Sequence, residues 1–142
     1  MQNGDLGYHE SSAKWAKICP VTIGNKSYPA LVDTFADVSL ISKRTFDKLP
    51  SHCKSDLDIE HKAVLSSASG HKMHVYGKTS LRLKFGRRVL TYKFLVVHMH
   101  KSLILGSDFL TNFDFKWDFQ QQTLSCDNIV VQLQDKRKTH NV

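Results

Sequence analysis

Apolar residues in this chain come in short runs broken by glycine, asparagine and aspartate, the punctuation of an all-β domain. Lys17–Ile23 and Lys26–Val32 flank Gly24-Asn25 and predict a hairpin. Residues 38–41 read as a short strand. Ser42 is then placed to cap a brief helix over residues 43–49, which Pro50 stops. Residues 51–62 are charged and read as a surface excursion. A second hairpin is expected where residues 63–67 and 72–76 flank Ser69-Gly70. Leu81-Arg82-Leu83-Lys84-Phe85 alternates strictly, so one face is buried and the other wet. Gly86-Arg87 turns this strand into residues 89–97, whose later half is apolar on both faces and is predicted to run through the core. Leu103-Ile104-Leu105-Gly106 is another buried run, and Ser107 or Asp108 is placed to cap a helical turn reaching Asn112. Phe113, Phe115, Trp117 and Phe119 alternate with Asp114, Lys116 and Asp118, predicting a strand. Residues 123–126 and 129–133 supply the last two strands.

A length of 142 residues suits one domain with a real core, and no internal repeat or linker divides it. The expected organisation is a flexible arm over residues 1–14, one domain over 15–134 and a disordered basic tail over 135–142. No apolar run approaches the roughly 20 residues that span a bilayer. The start has no signal-peptide core, so an intracellular, cytoplasmic protein without membrane attachment is expected. Cys19, Cys53 and Cys126 are odd in number and far apart; they read as reduced thiols rather than a disulfide framework or a metal motif. The sequon Asn25-Lys26-Ser27 has no meaning without secretion.

The net charge of +7 raises the question of nucleic acid. Its basic residues are dispersed, and the tight clusters, Arg87-Arg88 and Lys136-Arg137-Lys138, read as a turn tip and a solvated tail. No RNA-binding aromatic signature accompanies them, so nucleic acid is not expected as a partner. His98-x-His100 shares a strand face but lacks a third ligand, so neither a metal nor another cofactor is expected. No nucleophile motif of a serine or cysteine protease is present.

The stretch that carries chemistry is Leu31-Val32-Asp33-Thr34, where apolar residues deliver a carboxylate and a hydroxyl to a strand end. With Phe35-Ala36-Asp37-Val38-Ser39-Leu40-Ile41 it resembles the active-site loop of retropepsins, apolar-apolar-Asp-Thr/Ser-Gly-Ala. Farther along, Ile104-Leu105-Gly106-Ser107-Asp108-Phe109-Leu110 resembles the ILGxDFL signature of Ty3/gypsy-type retroelement proteases. Between them, Ser67-Ala68-Ser69-Gly70-His71-Lys72 with Val75-Tyr76-Gly77 is similar to that family's flap. Trp117-Asp118 with Gln122-Thr123-Leu124 is similar to its closing strand pair. The resemblance covers residues 17–126, with the motifs in order.

The resemblance implies a retropepsin-like closed β-barrel or sandwich, with a flap hairpin and one or two short helices, acting as a homodimer on a peptide or protein. Aspartic proteases need two carboxylates sharing a proton, one acting as base toward water and the other as acid toward the peptide. This chain carries one Asp-Thr motif, so the second Asp33 must come from a second copy across a two-fold axis. The resemblance gives Asp33 and Thr34 the catalytic positions, with Thr34 bridging the two loops. Phe35, Ala36 and Asp37 would line the substrate cleft. Ser69, Gly70 and His71 would form the flap tip, while Ile104, Leu105 and Gly106 would support the loop from behind. Asp108 falls at a structural helix start. One departure matters: Phe35 stands where the family has glycine, bringing a bulky ring to the dyad and, if the backbone there needs glycine's dihedrals, strain. The alternative reading is therefore a domesticated pseudoprotease that dimerises or binds peptide without cutting.

Overall fold

A computed structural model describes Leu6–Gly7, residues 17–60, 65–66, 70 and 72–135. Its strands are β1 (Leu6–Gly7), β2 (Lys17–Ile23), β3 (Lys26–Val32), β4 (Leu40–Ser42), β5 (Leu65–Ser66), β6 (Val75–Phe85), β7 (Arg88–Val97), β8 (Leu103–Leu105), β9 (Lys116–Asp118), β10 (Thr123–Cys126), β11 (Ile129–Gln132) and β12 (Gln134–Asp135). Two short helices interrupt them, α1 (Lys43–Lys48) and α2 (Ser107–Asn112). The rest of the expected arm and tail lies outside the described residues. Leu6–Gly7, from the expected arm, pairs in parallel with β5, and Asp135 pairs with Lys17 at the end of β12.

The principal sheet closes on itself. Six strands run β2-β3-β8-β4-β7-β6, and Thr22 on β2 pairs with Lys84 on β6 to complete the ring, while β12 attaches outside β2. Closure removes the sheet edges that would otherwise template aggregation. β3 lies parallel to β8 and β4 parallel to β7; the other pairings in this sheet are antiparallel. A small antiparallel sheet, β11-β10-β9, packs Leu124, Cys126, Trp117 and Ile129 onto the barrel interior.

Alternation decides what each strand buries. Ala30, Val32, Ile41, Phe94, Val96, Leu103 and Leu105 enter the main core. Their neighbours Leu31, Leu40, Leu95, Val97 and Ile104 point the other way, into a second cluster closed by Leu65, Val75 and Met99. The apolar runs of β3, β4, β8 and late β7 are thus buried on both faces, which is why they do not alternate in sequence. Phe109 anchors the main core, with the rings of Phe113, Phe115, Tyr92 and Phe94 centred 5.0, 5.4, 5.6 and 6.1 Å from its own.

Several expectations shift. Ser42 does cap α1, accepting a hydrogen bond from the Thr45 N–H, and the flanking strand is Leu40–Ser42 rather than residues 38–41. Residues 54–58 are not a free excursion: Ser55 N–H donates to the Ser80 carbonyl and Asp58 exchanges two backbone bonds with Lys78. The expected strands around 72–76 and 81–85 are one, β6, kinked where the register shifts between Val75 and Gly77. Gly77 has φ +155°, and a Cβ there would lie 2.6 Å from the Asp58 carbonyl oxygen, so the bulge needs glycine. The alternating aromatics form a strand only over β9, because α2 runs to Asn112 and Asp114 turns at φ 55°. Phe113 and Phe115 flank that turn and face the core, while Phe119 is exposed.

The cysteines Cys19, Cys53 and Cys126 are free and buried, and burial pushes the Cys19 thiol up to about 12. Phe109→Ala is expected to lower unfolding free energy by about 3–5 kcal/mol through lost burial and a residual cavity. Urea denaturation followed by tryptophan fluorescence measures it; a midpoint within error of the wild type would mean that this ring cluster is not the centre of the core.

Candidate active site

The loop that follows β3 is held from two sides. The Asp33 N–H donates to the Leu105 carbonyl at 3.0 Å, so the loop leaves the sheet still bonded to β8. The Ala36 N–H donates to the Asp33 carbonyl at 3.1 Å, and the Phe35 N–H donates to Asp33 Oδ1 at 3.0 Å. This Asx turn fixes the Asp33 side chain against its own backbone. Asp33 is only 2% exposed, whereas Thr34 and Phe35 face outward, Phe35 with 56% exposure. Ala36 is buried in the second cluster and Asp37 is half-buried.

Behind the loop lies Gly106. A Cβ on it would fall 2.6 Å from the Val38 carbonyl oxygen and 2.8 Å from that of Ala36, closer than a real side chain tolerates. The next residue, Ser107, donates its N–H to the Ala36 carbonyl at 2.8 Å. Ile104 and Leu105 lie in β8 beside Leu31 and Val32, in register.

A polar network that the motifs alone did not reveal completes the clamp. Asp108 Oδ1 accepts from Ser39 Oγ at 2.8 Å and Oδ2 from the Ser39 N–H at 3.2 Å. Ser39 Oγ in turn accepts from the Gly106 N–H at 2.9 Å. Ser107 and Asp108 therefore lie inside α2 rather than at its N-cap, though Asp108 Oδ1 also accepts from the Phe109 N–H of the first turn at 2.8 Å. Gly106 holds the cap position with no side-chain bond, and the Asp108 carboxylate reaches across to the Asp33 loop. Tyr92 hydrogen-bonds to the same carboxylate. Its phenol is pushed above the ordinary value by partial burial first, then by the Asp108 charge and that hydrogen bond. The signal for Tyr92 was its place on the inward-facing side of a strand whose other inward residues, Leu90, Phe94 and Val96, are apolar, so its hydroxyl needs a partner.

The flap is described in part. Met73 N–H donates to the Leu65 carbonyl at 2.7 Å and Lys72 bridges to Ser66, so the hairpin base exists. Gly70 is exposed with φ +89° and open space around it, as a turn tip requires. Ser69 and His71 lie outside the described residues. His98 and His100 follow the end of β7, both exposed, and so are not strand partners. Among the described residues no group of three His, Cys, Asp or Glu could hold a metal ion, and no helix is long and apolar enough to cross a membrane.

A closed six-stranded barrel, with an Asp-Thr loop leaving one strand and a Leu-Gly-x-Asp turn clamped behind it, defines the retropepsin-like aspartic protease domain. Residues 19–112 match the family described as "gag-polyprotein putative aspartyl protease", and the chain belongs to that family. Its fold is similar to the retroviral protease-like domain of Ddi1 from Leishmania major. That pair has a TM-score of 0.71 at 22% identity, covering 83% of this chain and 93% of that one. It is also similar to the EIAV protease complexed with the inhibitor HBY-793, at TM-score 0.61 and 19% identity, over 76% of this chain and 97% of that one. Comparison with curated proteins gives no match.

The Tyr92–Asp108 pair makes stability depend on alkaline pH. A phenol whose folded-state value is raised keeps its proton after the unfolded chain has lost one. Its contribution is therefore complete below about 10, the ordinary value, and falls as pH rises beyond it. Tyr92→Phe is expected to flatten that fall in urea midpoints measured across the alkaline range. Parallel curves for variant and wild type would show that the pair does not titrate as described.

Proposed function

We propose that the chain is a homodimeric aspartic endopeptidase, in which Asp33 of each copy meets at a two-fold axis. The observation that carries this is the held carboxylate: Asp33 is buried, bonded to the Phe35 N–H and anchored through Leu105. Two such groups brought together cannot both ionise easily, so the pair keeps one proton. The ionised carboxylate draws a proton from water, which attacks the peptide carbonyl, while the protonated one donates toward that oxygen. Thr34, exposed beside Asp33, faces the region where the second loop would approach and bridges the two loops through its hydroxyl. Asp37 lines the cleft floor, with Ala36, wholly buried, packed beneath it rather than in the cleft, and Ser69, Gly70 and His71 close over a peptide bound as an added strand. Ile104, Leu105 and Gly106 support the loop. The family description, with the stretch from Ile104 to Leu110, supports a retrotransposon origin.

Phe35 favours a second reading, a pseudoprotease that dimerises or binds peptide without cutting. Its backbone is not the obstacle: among the described residues the positive-φ positions other than glycine are Asp114, Gln122 and Asp127, so Phe35 carries no left-handed strain. The ring itself remains, 56% exposed next to Asp33, and two copies would share the cleft. A displacement of about 1 Å at a reacting centre costs on the order of a hundredfold in rate.

Cleavage of an unstructured protein at mildly acidic pH, with sedimentation equilibrium on each variant, separates the readings. Asp33→Asn should lower the rate by about 10²- to 10⁴-fold while leaving the dimer intact. Phe35→Gly should raise it by up to about a hundredfold. A dimeric wild type that never cuts, joined by a dimeric Phe35→Gly variant that gains activity, would establish the pseudoprotease. A chain that stays monomeric at every concentration would remove the proposed site altogether.

A further inference from the structure

The fold brings a histidine from a distant turn to two cations that share one strand. A cleft of about 460 Å³ opens outside the barrel where β2 meets β6, against the turn that follows α1. Arg82 and Lys84 from β6 and His52 from that turn line it, Thr22 and Asn25 add hydrogen-bonding groups, and no carboxylate does. None of its lining belongs to the Asp33 loop or the flap. Arg82, Lys84 and His52 are exposed, and among the described residues no hydrogen bond or ion pair engages their side chains.

The charge continues beyond the cleft. Lys78, Ser80, Arg82 and Lys84 are the outward positions of β6. Pairing of Ser80 with Lys93, Arg82 with Thr91 and Lys84 with Val89 puts Lys93 on the same face, while Asp58, paired with Lys78, sets an acid at the far end from the cleft. Successive outward residues of one strand stand about 6.6 Å apart, so the face offers charge at regular steps rather than at one point. At Arg82, Lys84 and Lys93, away from Asp58, like charges at this spacing build a local potential that a polyanion relieves.

Chemistry narrows the ligand. An acidic peptide gains most by adding a strand to a free edge, and β6 has none: β7 flanks one side, and Ser55, Asp58 and Thr22 bond along the other. A polymer with its charge on backbone phosphates needs side-chain cations alone. No phenylalanine, tyrosine or tryptophan stands among these outward positions, so bases gain no stacking platform and contact is independent of sequence. We propose that this outer face of the β6–β7 hairpin, centred on Arg82, Lys84 and His52, binds the backbone phosphates of a single-stranded polynucleotide.

Fluorescence anisotropy of a labelled single-stranded oligouridine, titrated with the full chain at several salt concentrations, tests this. Each neutralised phosphate contributes about −0.7 to the slope of log K against log salt. Arg82→Ala with Lys84→Ala should therefore weaken binding at least about tenfold at low salt and reduce the slope by about 1.4. Lys48→Ala with Lys101→Ala removes the same charge elsewhere and should change binding less than about twofold. Both residues of the test pair are exposed, so circular dichroism and urea midpoints should be unchanged. Equal loss in the two double variants would reduce the effect to net charge and overturn the proposal. Loss on deleting residues 136–142, with none in the β6 variant, would assign binding to the tail and overturn it too. So would competition by polyglutamate as effective as by unlabelled oligouridine, because a carboxylate polymer would then serve equally well.

Discussion

The close approach of β8 to the Asp33 loop governs the candidate site. Where Gly106 passes behind the loop, its Cα stands so near the carbonyls of Ala36 and Val38 that no Cβ fits. That contact lets the Asp33 N–H reach the Leu105 carbonyl, the Ser107 N–H reach the Ala36 carbonyl and the Gly106 N–H reach Ser39 Oγ. The loop is thus fixed by main-chain bonds to a strand buried on both faces, the most rigid kind of support the barrel offers. Any side chain at position 106 would part loop from strand and release these bonds together.

Asp108 extends the same clamp with charge. Its two carboxylate oxygens take both the N–H and the hydroxyl of Ser39 and the N–H of Phe109, and Tyr92 adds a fourth donor from the barrel wall. A carboxylate so supplied is costly to disturb, because removing it strands several partly buried donors at once. The chain spends one acid on holding the loop and presents another, Asp33, within it. Their environments differ accordingly: Asp108 faces inward to polar partners, while Asp33 is buried beside the exposed Phe35, whose N–H donates to it. Phe35 is compatible with the loop's backbone and alters its surroundings instead, which moves the question of activity from strain to cleft volume.

The hairpins, the barrel strands, the Ser42 cap and the Asp-Thr loop were legible from sequence because each depends on local chemistry: alternation, turn residues and a cap three residues from the N–H that donates to it. Runs buried on both faces were legible as core. Less legible were elements set by neighbours distant in the chain. Residues 54–58 look like a polar loop, yet they bond along β6 because its backbone donors and acceptors need partners there. The aromatics from Phe113 to Phe119 alternate like a strand, yet α2 and the Asp114 turn override that period to bring Phe113 and Phe115 onto Phe109.

The sequence by itself determined the class of fold, the presence of one Asp-Thr motif per chain and the anomaly at position 35, since each is written in short local motifs and their order along the chain. Only the tertiary structure decided that Asp108 serves the loop as well as its own helix, that Tyr92 is its partner, and that His52, Arg82 and Lys84 share one cleft. Such groupings arise when barrel closure pairs β2 with β6 and lays β8 behind the loop. These are long-range contacts, and the periodicity of any one segment carries no information about them.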